Sequence, residues 1–152
     1  MSILLLALVL AVQDPPRLET CVTQRNTLEM NECAAARLEL ERERMDLYLA
    51  AAREVMVVMQ ESTPPEYGVD LPARLDASQT HFEAYADAQC RTVLETYIDG
   101  TIRTVMYLGC MDDMVRQRTH RIWLDFLSDA GTGLPEPLAA VADPLADEDT
   151  AL

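Results

Sequence analysis

The stretch CRTVLETYIDGTIRTVMYLGC, residues 90–110, decides the fold. Its centre, Asp99-Gly100-Thr101, separates two segments that carry apolar residues at helical spacing. Gly100 suits the left-handed position that ends many helices, and Thr101 can cap the helix that follows. Cys90 lies ten residues before Gly100 and Cys110 ten residues after it, so both would lie at one level of an antiparallel hairpin. The spacing therefore predicts a helical hairpin closed by a Cys90–Cys110 disulfide.

Apolar residues at steps of three, four or seven extend this hairpin in both directions. The upstream helix is predicted from about residue 70 to the Asp99-Gly100-Thr101 break, with Pro72 acceptable in its first turn. The downstream helix is predicted to end at about Ser128. The upstream stripe comprises Leu75, Phe82, Ala86, Val93 and Tyr97, and the downstream stripe Ile102, Val105, Met106, Cys110, Met114, Ile122 and Phe126.

A third helix is predicted from about residue 27 to residue 61, with Thr27 as its N-cap. Acidic side chains in its first turns would stabilise the helix by interacting with the positive end of the helix dipole. Charged residues between the apolar positions, including ELERER at 39–44, are interpreted as a solvated face. The stretch ESTPPEYGVD, residues 61–70, ends the helix. The apolar series is Leu38, Met45, Leu49, Ala52, Met56 and Met59. The predicted fold class is all-α, a disulfide-stapled three-helix antiparallel bundle.

Four cysteines in a small chain predict a disulfide framework. Cys33 lies only about 9 Å along the axis from the start of the first helix, so a folded-back lead brings Cys21 to it. We therefore favour Cys21–Cys33 beside Cys90–Cys110. The alternative ties Cys21 or Cys33 to the second or third helix. The sequence has no CxxC and no Cys-His ligand pattern, so neither a redox site nor a metal site is predicted.

The chain ends predict export and a flexible tail. MSILLLALVLAVQD begins with an apolar run too short to span a bilayer, and residues 1–13 are interpreted as a signal peptide, with cleavage after Ala11 or one or two residues later. The alternatives are a buried N-terminal helix and a retained anchor. The helical domain is then 14–128, in the periplasm or secreted, with no membrane span after cleavage. Residues 129–152 carry six acids and no base, which predicts a disordered acidic Pro-rich tail, or alternatively a partner-binding one.

The charge of the chain limits its partners. There are 26 acidic residues against 12 basic ones, all of them Arg, and the net charge is −14. Nucleic-acid binding needs a basic surface, so it is not expected. An acidic surface suits a basic partner, although it can also serve solubility alone. No GxSxG, HExxH or Gly-rich phosphate loop occurs, and the methionines are interpreted as core residues, so no enzyme, cofactor or metal chemistry is predicted.

Three motifs resemble the LprI-type lysozyme inhibitor family of small exported four-Cys helical domains. They are TLEMNECA (27–34), LDASQTHFEAYADAQC (75–90) and CMDDMVRQR (110–118). Phe82 stands where Trp is usual in that family, and Asp99-Gly100-Thr101 replaces Gly-Gly-Ser. The family-motif positions, expected to be structural, are Thr27, Met30, Asn31, Gln79, Phe82, Gly100 and Arg118.

Three of these positions carry specific expectations. Asn31 is expected to satisfy backbone groups where the lead folds onto the first helix, or alternatively to contact a partner. Gln79 is expected to be a buried amide bonded to another helix. Arg118 is expected to pair with Asp87 or Glu83 across the second and third helices, or alternatively to face a ligand.

The resemblance implies a non-enzymatic protein that binds, and inhibits, a cationic lysozyme-type muramidase. The blocking element would be the loop STPPEYG, residues 62–68, or the tail. The competing hypothesis is a periplasmic structural or adaptor module with no enzyme target.

Overall fold

The structure, a computed structural model, describes residue 21 and residues 23–137. Three helices follow one another: α1 at Thr27–Glu61, α2 at Leu71–Thr96 and α3 at Arg103–Ile122. A 3-10 turn at Pro65–Tyr67 joins α1 to α2, and α3 continues into a π-helical turn at Trp123–Leu127. No strand occurs in the described part of the chain. The prediction of an all-α, disulfide-stapled three-helix fold is confirmed.

Side-chain caps fix the starts of α1 and α2. Asn26 Oδ1 accepts a hydrogen bond from the backbone N–H of Glu29 at 3.0 Å, and Asp70 Oδ1 accepts from Ala73 N–H at 3.0 Å. The predicted cap, Thr27, is instead the first helical residue. Asn26 caps α1 because its backbone is extended, which aims its amide at the unpaired N–H groups of the first turn.

The turn between α2 and α3 differs from its prediction in two details. Gly100 does not have a positive φ, and α3 begins at Arg103 without a side-chain cap, so Thr101 does not cap it. The chain reverses through short turns instead, with Gly100 N–H donating to Tyr97 O at 2.8 Å. A Cβ at Gly100 would lie 3.3 Å from that same oxygen. Glycine is favoured here by close backbone approach rather than by a left-handed conformation.

The helices α1 and α3 run parallel, and α2 lies antiparallel to both. Cys33 and Val105 share a small cavity near the starts of α1 and α3. Towards the other end, Ala51 of α1 faces Phe126, just beyond α3. The core of mainly aliphatic side chains lies between them: Leu38, Met45, Tyr48, Ala52, Met56, Leu75, Ala86, Cys90, Met111, Val115, Ile122 and Leu127. Met59, expected in the core, is 51% exposed and lines an open groove with residues 124–134.

Two disulfides close the bundle at one end. Cys21 is bonded to Cys33, with their Cα atoms 5.2 Å apart. Cys90 of α2 is bonded to Cys110 of α3, with their Cα atoms 5.6 Å apart. This is the pairing that the spacing favoured, and not the cross-linked alternative.

Residues 129–137, predicted as the first part of the tail, contact the bundle. The Tyr48 hydroxyl donates to Pro135 O at 2.6 Å, and Trp123 Nε1 donates to Leu134 O at 3.1 Å. The predicted disorder therefore does not extend to these nine residues, because two buried or half-buried aromatic side chains bond their backbone. The rest of the predicted tail, 138–152, and the predicted signal peptide lie outside the described residues.

Candidate functional site

The motif residues of α2 and α3 come together in a cluster around Arg118. Its Nε donates to Gln79 Oε1 at 3.1 Å, and its Nη2 donates to Ser78 Oγ at 2.6 Å. The guanidinium carbon lies 5.6 Å from the centroid of the Phe82 ring, a cation–π contact. Burial of the guanidinium lowers the pKa of Arg118 below its ordinary value. The cluster holds α3 against α2 through neutral acceptors and one aromatic face.

Gln79 links this cluster to α1. It is a buried amide, as expected, and its Nε2 donates to Glu83 Oε1 at 3.0 Å and contacts Met45 Sδ at 3.7 Å. One side chain therefore contacts residues of all three helices. This position joins the three helices and leaves little of the amide free to bind another molecule.

The expected pairing of Arg118 with Asp87 or Glu83 is wrong. Asp87 accepts instead from Arg91 Nε at 2.7 Å and from the Tyr107 hydroxyl at 3.1 Å. The hydrogen bond from Arg91 contributes most to holding the pKa of Asp87 below its ordinary value. Arg91 bonds this carboxylate because it lies one turn away on the same helix, where the two side chains are already neighbours.

The other motif positions lie at the opposite end of the bundle. Asn31 Oδ1 is buried and has no hydrogen-bond partner among the described residues, so its expected backbone bonds do not occur there. Met30 lines a cavity of about 160 Å³ beside the Cys21–Cys33 bridge. Thr27 and Gly100 take the helix-start and turn roles described above. None of these residues forms a cleft with a reactive group.

A buried ion-pair network on α1 was not predicted. Glu41 is 6% exposed, and its carboxylate bonds Arg44 at 2.8 Å and Arg116 of α3 at 3.2 Å. Arg116 also bonds Asp112 at 2.8 Å. Interpreting 39–44 as a solvated face was wrong at Glu41. The signal was its spacing, since Glu41 lies three residues after Leu38 on the buried stripe.

The connection between α1 and α2 forms a rigid exposed turn. Tyr67 N–H donates to Pro64 O and Gly68 N–H to Pro65 O, both at 3.1 Å, and Gly68 has a φ of 60°. At its far side Leu71 N–H donates to the side chain of Gln60 at 2.9 Å. The turn thus fixes the backbone around Tyr67, whose surface is 69% exposed.

The described part of the chain has neither a metal-binding cluster nor a candidate membrane span. It contains no group of three or more His, Cys, Asp or Glu residues arranged to hold a metal ion. No described helix is both long enough and apolar enough to cross a membrane.

These features define a three-helix domain stapled by two disulfides. A comparison with protein families matches residues 19–122 to the family described as Lysozyme inhibitor LprI, and the chain belongs to that family. The match covers more than half of the chain and includes both disulfides and the Arg118 cluster. Neither the search of curated proteins nor the search of solved structures found a match. The description of this family names lysozyme inhibitors. Two disulfides fit an oxidising compartment.

Proposed function

We propose that this protein is exported and binds and inhibits a cationic muramidase of the lysozyme type. The observation that carries the proposal is the family match over residues 19–122. Exposed negative charge supports it, because the region 14–128 has 20 acidic residues against 12 arginines. A surface of this sign steers a cationic protein towards it, and the attraction weakens as salt rises.

The motif residues form the scaffold, so recognition is expected elsewhere. Gln79, Phe82 and Arg118 bond to one another or to neighbouring helices. Within the matched range, the turn between α1 and α2 is better suited to contact an enzyme. It is exposed, rigid and acidic, with Glu66 and Asp70 on either side of Tyr67.

We assign Tyr67 as the anchor of this contact. An exposed tyrosine on a fixed backbone buries a large ring at little cost in conformational entropy. The hydrogen bonds around Pro64 and Pro65 hold the turn before binding. The carboxylates of Glu66 and Asp70 lie on either side of Tyr67, and their negative charge would attract a positively charged rim of the enzyme's cleft. The tail is the other candidate, and its residues 138–152 lie outside the described structure.

A turnover titration tests the proposal. Purified protein is titrated against a purified cationic lysozyme while peptidoglycan hydrolysis is followed by turbidity. We expect inhibition near stoichiometric ratios at low salt, and weaker inhibition at about 0.5 M salt. No inhibition at a large excess in low salt would contradict the proposal and favour an adaptor with no enzyme target.

Two tyrosine variants locate the contact. Tyr67→Ala is expected to weaken inhibition about tenfold or more. The matched control is Tyr85→Ala, on the outer face of α2 and 59% exposed, which should inhibit like the wild type. Equal inhibition by the wild type and both variants would move the contact away from the turn.

Export is tested separately. The fold contains two disulfides, and such bonds form and persist outside the reducing cytosol. Sequencing the N-terminus of protein recovered from the envelope should show a start shortly after Ala11. A start at Met1 would reject cleavage.

A further inference from the structure

A groove runs along the second half of α1, on the side away from α2. One wall is α1 from Leu47 to Met59, and the other is the chain from Leu124 to Leu134. It encloses about 840 Å³, the largest volume among the cavities described here. The second wall begins beyond residue 122, where the family match ends. The groove is therefore a feature of this chain that family membership does not explain.

Large apolar side chains remain exposed along it. Leu47 is 57% exposed, Val58 64% and Leu124 46%, and all three line the groove. These side chains leave apolar surface open to solvent on both walls of the groove, which suits contact with another protein. Burying them against another apolar face would release ordered water and favour association.

The charged groups that line the groove all have one sign. They are Glu54, Asp125 and Asp129, and no Arg, Lys or His lines it. Asp125 bonds Arg121 at 2.8 Å, while Glu54 and Asp129 have no ion-pair partner within residues 23–137. A ligand with apolar side chains could pack against the walls, and positive charges on its flanks would pair with these acids at the rim of the groove.

The chain's own C-terminal segment fits poorly. After Leu134 the chain leaves the groove at one end, where Pro135 O accepts from the Tyr48 hydroxyl and the Glu136 side chain contacts His120 Nε2. The segment beyond residue 137 carries the four acids Asp143, Asp147, Glu148 and Asp149 and no base. Its charge has the same sign as the rim, so it would be repelled.

We propose that this groove binds a cationic amphipathic helix of a partner protein. Residues 47–59 of α1 rise about 18 Å, so the groove accommodates a helix of about three turns. Such a helix would place apolar side chains at i, i+3, i+4 and i+7 against Leu47, Val58 and Leu124. Lys or Arg on its flanks would face Glu54 and Asp129.

This surface is separate from the Tyr67 turn. Gln60 of α1 points towards α2, where it bonds Leu71 N–H. Successive helical residues rotate by about 100°, so Val58 and Gln60 point about 160° apart. A partner in the groove and an enzyme at the turn would contact different faces of α1, and the groove proposal does not depend on lysozyme binding.

Two labelled synthetic peptides test the proposal against the full-length protein. Both are helical 14-residue peptides with leucines on one face, and they differ only in having Lys or Glu on the flanks. Fluorescence anisotropy should show the Lys peptide binding at least about tenfold tighter than the Glu peptide, with a gap that narrows as salt rises. Equal binding of the two peptides, or binding of neither, would overturn the proposal.

Matched double variants place the peptide in the groove. Leu47→Ala with Val58→Ala should weaken binding of the Lys peptide about tenfold or more, because two exposed apolar side chains of the α1 wall are shortened. The control, Leu28→Ala with Val57→Ala, removes the same atoms from exposed positions outside the groove, 67% and 41% exposed, and should bind like the wild type. Equal loss in both pairs would overturn the assignment.

Two further measurements separate the occupants and the two proposals. Leu138→Asp with Val141→Asp in the full chain should leave peptide affinity unchanged. A clear gain would show that the tail fills the groove and would overturn the choice of partner. Tyr67→Ala should bind the Lys peptide like the wild type, and the Leu47/Val58 double variant should still inhibit lysozyme, so either proposal can fail without the other.

Discussion

The two ends of the bundle are held together by different means. At the cystine end, where α1 starts and the α2–α3 turn lies, the Cys21–Cys33 and Cys90–Cys110 bonds join the chain covalently. At the groove end, residues 47–61 of α1 and 119–137, the described chain has no disulfide. There Tyr48 and Trp123 bond the backbone of residues 134 and 135, which lie across the helices.

The difference separates stability from binding. A disulfide stabilises the fold by restricting the unfolded chain, and it does so without a large apolar interface. The cystine end can therefore be stable without further segments packed over it. At the groove end an added segment covers only part of the helices, and Val58 and Leu124 remain exposed. We infer that the covalent end stabilises the fold and that the other end is left open for partners.

The largest expected effect removes the buried disulfide. Cys90 is fully buried, and its bond closes a separation of 20 residues. Replacing Cys90 and Cys110 together by Ala should lower the free energy of unfolding by about 3 kcal/mol, measured by guanidinium denaturation. Replacing Cys21 and Cys33 together should cost less, because that bond closes 12 residues and lies partly at the surface. If neither pair moved the midpoint, the contrast between the ends would be wrong.

The next prediction tests whether the stability of the part of the bundle towards the cystine end also depends on buried ion pairs. Glu41→Gln would leave Arg116, which is 16% exposed, with one carboxylate instead of two. We expect a loss of about 2 kcal/mol in unfolding free energy. Glu39→Gln, two residues away and exposed, is the control and should change stability little. Equal stability of both variants would mean that the network contributes nothing beyond packing.

At the groove end a single hydroxyl can be removed. Tyr48→Phe deletes the 2.6 Å bond to Pro135 O and keeps the ring. The unfolding free energy should fall by about 1 kcal/mol, and proteolysis after residue 128 should become faster. Tyr85→Phe, with an exposed hydroxyl, should behave like the wild type in both measurements. An unchanged proteolysis rate would show that residues 129–137 are held by something else.

Local sequence signals predicted the three helices well. The bounds of α1, the start of α2 near residue 70 and both disulfide pairs follow from apolar periodicity, prolines and spacing, although Asn26 rather than the predicted Thr27 caps α1. These features depend on neighbours a few residues away. The position of the turn at Gly100 was also predictable. The reason why glycine is favoured there was not, since the close approach of Tyr97 O appears only in the folded chain.

Contacts between distant residues were not predictable from the pattern. Arg118 bonds Gln79 and Ser78 rather than an acid, because Asp87 is already held by Arg91 and Tyr107. Such choices depend on which of several nearby groups is already bonded. The groove could not be predicted either, since the part of its second wall from Asp129 to Leu134 lies where the composition indicated a disordered tail.

The smallest effect concerns pH at the cystine end. Because Arg91 and Tyr107 donate to Asp87, its folded pKa lies below the ordinary value of 3.8. A lowered pKa adds stability that is present above the unfolded pKa and is lost as pH falls through the folded pKa. Asp87→Asn should therefore unfold at lower urea than the wild type at pH 7, and the gap should close as the pH falls through 3.8 and then through the lower folded pKa. Asp99→Asn, an exposed acid at the same end, should show no such closing gap. A gap that stayed constant with pH would assign the loss to packing, and the ion pair would then add nothing to what the disulfides already provide.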